Sequence, residues 1–491
     1  MATATSPSES PSPSPSSGAS APARRDDGLA AGSMSAFEVL SQSVAGIAPS
    51  AVMATGPALV ALGAGGSVMY SYLFSTVILL MVGWCISQFA RRSGNGASLL
   101  SYVNVALGPA AGFLGAIGLA FGYVMIGLGC LGGITLYIAP LLTLVGVPGA
   151  SSTIATVLVM IVTMTLATAA MVKGVQLSTR IGVVLEVLSI VCILAVVVAV
   201  LGTHGFSVTP LRPPDLGASS IAGGMVLAIL GYVGFESAAC MGTEARDPGR
   251  TIPRAVLGSA LIVGVLYLLS AYAQLVGFAD PAALSSNSAP LNTLADGAGV
   301  HALGYLVDLG AVASFFACIT GSLNAASRLL HSMGNRGLLP RPLGRAHEMH
   351  RTPHVAIVAL ATITGASGVI MSLGGMDSLS IFAIAGTIGT YGYMVAYLLV
   401  TVGVTVFLAR RGEPVVAAAA IGGVATLGML FVLFRNVYPV PAAPYNILPW
   451  LFLTLLVLAA AWYAVIRSRV DADIVEQDLI GVQQDLANES A

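Results

Sequence analysis

Long apolar segments alternate with short polar connections along most of this 491-residue chain. Each segment runs for roughly 18–25 residues, the length that an α-helix needs to cross a ~30 Å hydrocarbon core. The pattern predicts an all-α polytopic membrane protein. Its approximate spans are 36–62, 66–90, 108–141, 152–172, 179–202, 219–243, 254–278, 303–328, 354–373, 377–408, 415–434 and 447–466, about twelve helices in all.

The two ends of the chain differ from the apolar part. Residues 1–32 are rich in Ser, Pro, Ala and Gly and contain no apolar run, a composition typical of a disordered tail. Residues 468–491 form a second polar and mainly acidic tail. We therefore expect the transmembrane domain to occupy residues 33–467, between two solvated tails.

Composition agrees with the membrane interpretation. Only 8% of the residues are charged and 56% are hydrophobic, which suits a lipid bilayer as the surrounding medium. The net charge of −1 gives no indication of a nucleic-acid partner. The five Cys residues stand singly in apolar segments, a pattern that argues against a disulfide framework or a zinc site.

Basic residues divide unevenly between the predicted connections. If the N-terminus is inside, nearly all Arg and Lys residues fall in inner loops and tails, and only Arg212 and Arg435 fall outside. By the positive-inside rule, we expect a multi-pass protein of the plasma membrane with both termini in the cytoplasm.

Two predicted spans contain helix-breaking residues at mid-depth. The first has Gly46 and Pro49, and the sixth has Gly231 and Gly234. Interrupted helices at matching positions of two halves indicate the binding site of a transporter. The alternative is that Gly and Pro are simply common in membrane helices.

The sixth span and the loop after it contain GFESA (234–238), EARDP (244–248) and RTIPRA (250–255). The connection between spans eight and nine contains RLLHSM (328–333), GLLP (337–340) and TP (352–353). In this order, the motifs resemble those of the amino acid–polyamine–organocation (APC) superfamily, amino acid permease type. The resemblance implies a LeuT-like fold with inverted five-helix repeats over about 36–202 and 219–408, followed by two helices within 415–467. It also implies secondary transport of amino acids or related amines by alternating access.

The resemblance places the substrate between the broken first and sixth spans. The candidate binding residues are Ala45, Gly46, Ile47, Ala48, Pro49, Ser50, Ala51, Tyr123, Tyr232, Gly234, Phe235 and Ser237. The usual Gly-Ser-Gly break of the family is replaced here by Pro-Ser-Ala, so one amide donor for a substrate carboxylate is missing. This difference slightly favours an amine or an atypical amino acid. Weaker aromatic candidates are Tyr391 and Tyr393 in the tenth span.

Two acidic residues lie inside predicted spans, where a charge is costly. Glu236 stands at the sixth-span break and Glu186 lies in the fifth span. Burial favours the neutral form of a carboxyl group, so both are candidates for ion coupling. Glu236 could instead tie unwound backbone or meet a substrate ammonium, and Glu186 could pair with Arg180. Asp308, at the start of the eighth span, is expected to be solvated.

We expect proton-coupled symport or exchange. Sodium coupling would require carbonyl groups near residues 45–48 and hydroxyl groups such as those of Thr320 or Ser322. The single Lys of the chain, Lys173, stands at a helix end and offers no ammonium group inside the fifth span. A membrane sensor or an integral-membrane enzyme is the alternative, but no signalling domain or convergent set of catalytic residues is apparent.

No cofactor and no metal are expected. The run GLGCLG (127–132) matches a dinucleotide-binding pattern, but it lies inside an apolar segment, where small residues serve close helix packing. His347, His350 and His354 have metal-like spacing, yet no thiol or carboxylate framework surrounds them beyond Glu348. A solvated loop explains the three histidines better.

Overall fold

The structure is a computed structural model that describes residues 32–92, 99–212, 216–242 and 244–467, with the backbone alone for 175–182. Apart from Gly32, both predicted tails lie outside these ranges. The α-helices are α1 (Ala36–Ile47), α2 (Pro49–Ala64), α3 (Val68–Arg92), α4 (Leu99–Leu107), α5 (Pro109–Leu144), α6 (Thr153–Lys173), α7 (Val175–His204), α8 (Ala218–Leu230), α9 (Pro248–Phe278), α10 (Pro281–Ser285), α11 (Pro290–Gly297), α12 (His301–Asn335), α13 (His354–Leu373), α14 (Ser378–Arg410), α15 (Val416–Arg435) and α16 (Tyr445–Arg467). Every regular element in the described ranges is helical.

Eleven stretches of the described chain are long and apolar enough to cross a membrane. The first of them, Ala36–Arg92, has 57 residues and contains α1, α2 and α3. A helix of that length would extend for about 85 Å, far more than one crossing requires. A 3-10 turn at Gly65–Ser67 divides the stretch into two crossings. The total agrees with the predicted number of about twelve, and the chain is a multi-pass membrane protein.

Small residues bring α5 and α14 into backbone contact. A Cβ atom added at Gly392 would lie 2.1 Å from the Gly118 oxygen, so no larger residue fits there without movement. Gly129 and Gly132 face α14 in the same way, against the backbone near Phe382. The GLGCLG run therefore lies inside a helix and serves close packing, as the sequence predicted.

Large apolar side chains cover the outer surface of the peripheral helices. On α6 these are Ile154, Leu158, Ile161, Val162 and Leu166, each at least half exposed. Similar residues are exposed on α7, α13, α15 and α16. In water such a surface would promote association, whereas acyl chains would cover it in a bilayer.

Asp308 is buried, and the prediction that it is solvated was wrong. Its side chain is 3% exposed, and Asn292 Nδ2 donates a 2.8 Å hydrogen bond to Asp308 Oδ2. The connection between α9 and α12 folds into α10 and α11, and α11 packs over the start of α12. The sequence pattern showed the apolar spans but not this cover.

Candidate functional site

The first transmembrane helix is interrupted at Ala48, between α1 and α2. Ala48 adopts the left-handed conformation, with φ 56° and ψ 57°. Pro49 follows as the first residue of α2, a position where a missing N–H costs nothing. The break thus places the last carbonyl groups of α1 and the first amides of α2 in the interior of the protein.

The sixth transmembrane helix is interrupted after α8. A turn connects Leu230 to a 3-10 helix, Phe235–Met241, and Gly234 within that turn has φ 104°. A Cβ atom at Gly234 would lie 2.3 Å from the Gly46 oxygen. The two interruptions therefore meet backbone to backbone at Gly46 and Gly234.

Three hydrogen bonds fasten α1 to the elements beside it. Ser43 Oγ donates to the Phe235 carbonyl at 2.7 Å, and Ser237 Oγ donates to the Gln42 carbonyl at 3.1 Å. Gln42 Nε2 donates to the Gly321 carbonyl of α12 at 2.9 Å. We call this region, formed by α1, the 3-10 helix and the C-terminal half of α12, the α1 side of the breaks. It is closely packed.

Glu236 is fully buried and accepts hydrogen bonds from three elements. Tyr123 of α5 donates to its Oε1 at 2.7 Å, Tyr397 of α14 donates to its Oε2, and the Gly234 amide donates to Oε2 at 3.1 Å. No ion pair of Glu236 occurs in the described part of the chain. The carboxyl group therefore joins the break to α5 and α14.

Glu186 is also buried, at 1% exposure, but is only half satisfied. The Ser50 amide donates to its Oε1 at 2.6 Å, whereas its Oε2 has no hydrogen-bond partner. The neighbouring Ala51 amide donates to Ser314 Oγ of α12 at 3.4 Å. The two amides expected to receive a substrate carboxylate are thus both engaged by side chains of the protein itself.

A narrow cavity lies on the opposite, α2 side of the breaks. Residues of α2, α8, α12 and α14 form much of its wall. The lining residues are Gly46, Ile47, Ala48, Val52, Thr55, Gly56, Leu59, Tyr72, Ile126, Gly129, Cys130, Leu227, Leu230, Gly231, Val233, Phe315, Cys318, Phe382 and Gly386. None of these is charged, and hydroxyl groups come only from Thr55 and Tyr72.

The amino acid permease family model matches residues 32–461 of the chain. The chain belongs to this family. It is 26% identical over 366 residues to the branched-chain amino acid permease BcaP of Lactococcus lactis, covering 71% of this chain and 76% of that protein. It is 24% identical to BcaP of Bacillus subtilis, covering 53% and 55% respectively. It is also 24% identical to the methylthioribose transporter of Bacillus subtilis, covering 65% and 71%. The protein is therefore an amino acid transporter rather than an enzyme.

The permease places its predicted binding residues in two environments. Gly46, Ile47 and Ala48 line the cavity, while Ala45, Pro49, Ser50 and Ala51 complete the break behind them. The sixth-span candidates and Tyr123 are buried among helices and are not among the lining residues. Tyr232 OH lies 2.6 Å from Thr76 Oγ1, and the Phe235 ring packs 5.5 Å from that of Tyr397.

The sixth helix contributes Gly231 and Val233 to the cavity lining, whereas its predicted binding residues do not line the cavity. Leu227 and Leu230 do so as well, and they precede the break at helical spacing, so periodicity could have indicated them. Phe315 and Phe382 come from α12 and α14, and no local signal distinguished them from packing residues.

The tyrosine of α14 that contacts Glu236 is Tyr397, which the sequence reasoning missed. Of the two that it considered, Tyr393 packs edge-on against Tyr123 at 5.1 Å. Tyr391 donates to Asn436, just after α15, at 3.3 Å, away from the break. Tyr393 and Tyr397 are four residues apart, which places them on one helix face.

Two groups named for a sodium site make hydrogen bonds within the protein. Thr320 Oγ1 donates to a carbonyl of its own helix, and the Cys318 thiol donates to the Gly46 carbonyl at 3.2 Å.

The rings of His347 and His350 pack 4.7 Å apart. Throughout the described ranges, no group of His, Cys, Asp and Glu side chains is arranged to hold a metal ion.

Proposed function

We propose that this permease carries amino acids with apolar, branched side chains across the plasma membrane by alternating access. The observation that carries the proposal is the lining of the cavity, which is apolar and uncharged among the described residues. A cationic side chain or a polyamine would bury charge there without a partner, at a cost of several kcal/mol. The two branched-chain amino acid permeases among the relatives support the same substrate class.

Alternating access is supported by the asymmetry of the two sides. The cavity adjoins the α2 side, whereas the α1 side is closed by the bonds of Gln42, Ser43 and Ser237. With both termini in the cytoplasm, as the basic loops suggest, this conformation is closed toward the cytoplasm. Transport would require these contacts to open while the α2 side closes. The repeats proposed over 36–202 and 219–408 supply one interrupted helix each.

Proton coupling, by symport or exchange, is supported by two buried carboxyl groups without a cationic partner in the described chain, those of Glu236 and Glu186. Glu236 bonds to both the break and α14, so its protonation state would bias the reorientation of the broken helix. We retain the predicted substrate-binding residues around both breaks as candidates, and add Val233 and Phe315 from the cavity wall.

The test is uptake of radiolabelled leucine, lysine, putrescine and methylthioribose into proteoliposomes, with and without an inward proton gradient. We expect gradient-driven accumulation of leucine, abolished by a protonophore, and little uptake of the two cationic compounds. Preference for a cationic compound or for methylthioribose would contradict the proposed substrate class.

The variant Glu236→Gln belongs in the same assay. We expect it to lose accumulation but to retain leucine counterflow, because exchange without net movement needs no coupled proton. Unchanged accumulation would remove Glu236 from the coupling. Absence of both accumulation and exchange in the wild type, from folded protein, would contradict the proposed function.

A further inference from the structure

We propose that Glu186 occupies the carboxylate-binding amides of α2 when substrate is absent. A substrate carboxylate would take its place, and Glu186 would take up a proton in the same step. This inference rests on the proposed function, because it assumes a substrate that carries a carboxylate.

The first amides of α2 form a site that suits an anion. The N-terminal turn of a helix has N–H groups without partners in the helix and a partial positive charge, so it attracts anions. In α2, Pro49 has no N–H, and the Val52 amide already bonds to the Ala48 carbonyl at 3.1 Å. Ser50 and Ala51 supply the remaining amides. Glu186 accepts from one of them at 2.6 Å, so a carboxyl group of the protein already fills the site.

The hydrogen-bonding capacity of this site is incompletely satisfied. Glu186 Oε2, Ser50 Oγ and Ser189 Oγ are all buried, and none of the three makes a hydrogen bond of good geometry, although the Ser50 and Ser314 hydroxyl groups lie close to the Glu186 carboxyl group. Buried polar atoms without partners are uncommon in native proteins and call for a physical explanation. A proton on Glu186 would convert its Oε2 from an unpaired acceptor into a donor beside these hydroxyl groups.

The two amides lie next to residues that line the cavity. Ala48 and Val52 flank the two amides in the chain, and both line the cavity. A substrate whose apolar side chain lies in the cavity would therefore present its carboxylate to the same turn of α2. The Ala51 amide makes only a long bond of 3.4 Å to Ser314 Oγ, which a stronger acceptor would displace.

A substrate carboxylate would bring a second negative charge to this site. Two carboxylates cannot both remain ionised at one buried helix terminus, so one of them must take up a proton. Among neighbouring titratable groups, Tyr267 of α9 and Cys318 of α12 lie in the same buried region, and the Tyr267 hydroxyl donates to the Gly231 carbonyl at 2.6 Å. Asp308 of α12 is held by Asn292, and α1 and α2 carry no titratable side chain at the break. Among the side chains that the structure describes, no basic group pairs with Glu186; the side chain of Arg180, the partner considered from the sequence, lies outside them. In this proposal a proton is the neutralising charge.

The experiment is equilibrium binding to the purified full-length protein in nanodiscs, measured as a function of pH. The ligands are leucine and 3-methylbutylamine, which has the same side chain without the carboxylate. Because leucine binding would take up one proton, we expect its Kd to rise about tenfold per pH unit wherever free Glu186 is ionised. We expect the amine to show no such dependence.

Two variants complete the test. Glu186→Gln should bind leucine with a Kd that no longer depends on pH, and more tightly than wild type at high pH. Asp308→Asn removes a different buried carboxyl group, on the eighth span. Its Kd for leucine should depend on pH as in the wild type. If Glu186→Gln does not fold, the comparison of leucine with the amine on wild-type protein still decides the question.

The outcomes separate this inference from the proposed function. Leucine binding without a pH slope, or with a slope that persists in Glu186→Gln, overturns the role of Glu186 and leaves the proposed substrate intact. A slope that the amine shares overturns the exchange of carboxylates. Failure of leucine to bind at any pH contradicts both proposals.

Discussion

At the scale of single residues, the contact between Gly46 and Gly234 holds the two helix breaks together. Gly234 has φ 104°, a conformation that residues with a Cβ atom rarely adopt, and its Cα faces the Gly46 oxygen. Glu236, two residues later, accepts hydrogen bonds from Tyr123 and Tyr397. Backbone contact and carboxyl group together fix the geometry of the sixth-helix break.

We therefore expect Gly234→Ala to destabilise the protein and to abolish leucine binding. The left-handed conformation alone would cost about 1–3 kcal/mol, and the new Cβ would lie 2.3 Å from the Gly46 oxygen. Gly146→Ala is the matched control, because Gly146 ends α5 in the left-handed conformation, with φ 80°, but has open space where a Cβ would be placed. The melting temperature and the leucine affinity of both variants are measured. Equal losses of stability and affinity in the two variants would show that the contact with Gly46 is unimportant.

At the scale of elements, a buried ion pair fastens the α1 side of the breaks. Arg328 of α12 makes a bidentate contact with Glu244, which follows the 3-10 helix, and their side chains are 4% and 5% exposed. Backbone hydrogen bonds join Met34, just before α1, to Glu244 and Arg246. The segment before α1 and the ends of the sixth and eighth membrane helices are therefore held together at one place.

We expect Glu244→Gln to be strongly destabilising, because it leaves the Arg328 charge buried without its partner, at a cost of about 3–5 kcal/mol. Asp247→Asn is the control, since Asp247 and Arg250 form an exposed pair at 4.0 Å that should contribute about 0–1 kcal/mol. Thermal denaturation of the purified variants measures the difference. A Glu244→Gln protein as stable as Asp247→Asn would mean that the pair contributes nothing on the α1 side.

At the scale of the whole molecule, the apolar outer surface identifies a protein embedded in lipid, and the basic connections suggest its orientation. The α1 side of the breaks would then face the cytoplasm and the cavity would lie toward the outside. The membrane side from which the cavity is reached would follow from this orientation.

We expect a cysteine at Met349, 80% exposed between α12 and α13, to be cytoplasmic, and one at exposed Ser288, between α10 and α11, to be external. In intact cells, a membrane-impermeant maleimide should label Ser288→Cys at once and Met349→Cys only after permeabilisation. The native chain is the blank: Cys85, Cys130, Cys240 and Cys318 are buried, and the half-buried Cys192 lies within α7, so its labelling is measured on the native chain and subtracted. The reverse labelling would place the termini outside.

The sequence predicted the helices closely because their signal is local. Each span had to be apolar along its own length, and Gly46, Pro49 and Gly234 mark the breaks because they change backbone preference where they stand. The motifs around Glu236 and Glu244, taken in order with those between spans eight and nine, were likewise enough to recognise the family, which the match over residues 32–461 confirms.

Only the tertiary structure decided what faces the cavity and what holds the two carboxyl groups. Phe315, Phe382 and Tyr397 reach the breaks from helices far along the chain, and nothing in their local sequence separates them from other apolar packing residues. Asp308 is buried because α11 covers it, and Glu186 meets Ser50 across 136 positions. Such pairings depend on how helices pack after they have formed, and the repeating apolar pattern that produces the helices does not specify those contacts.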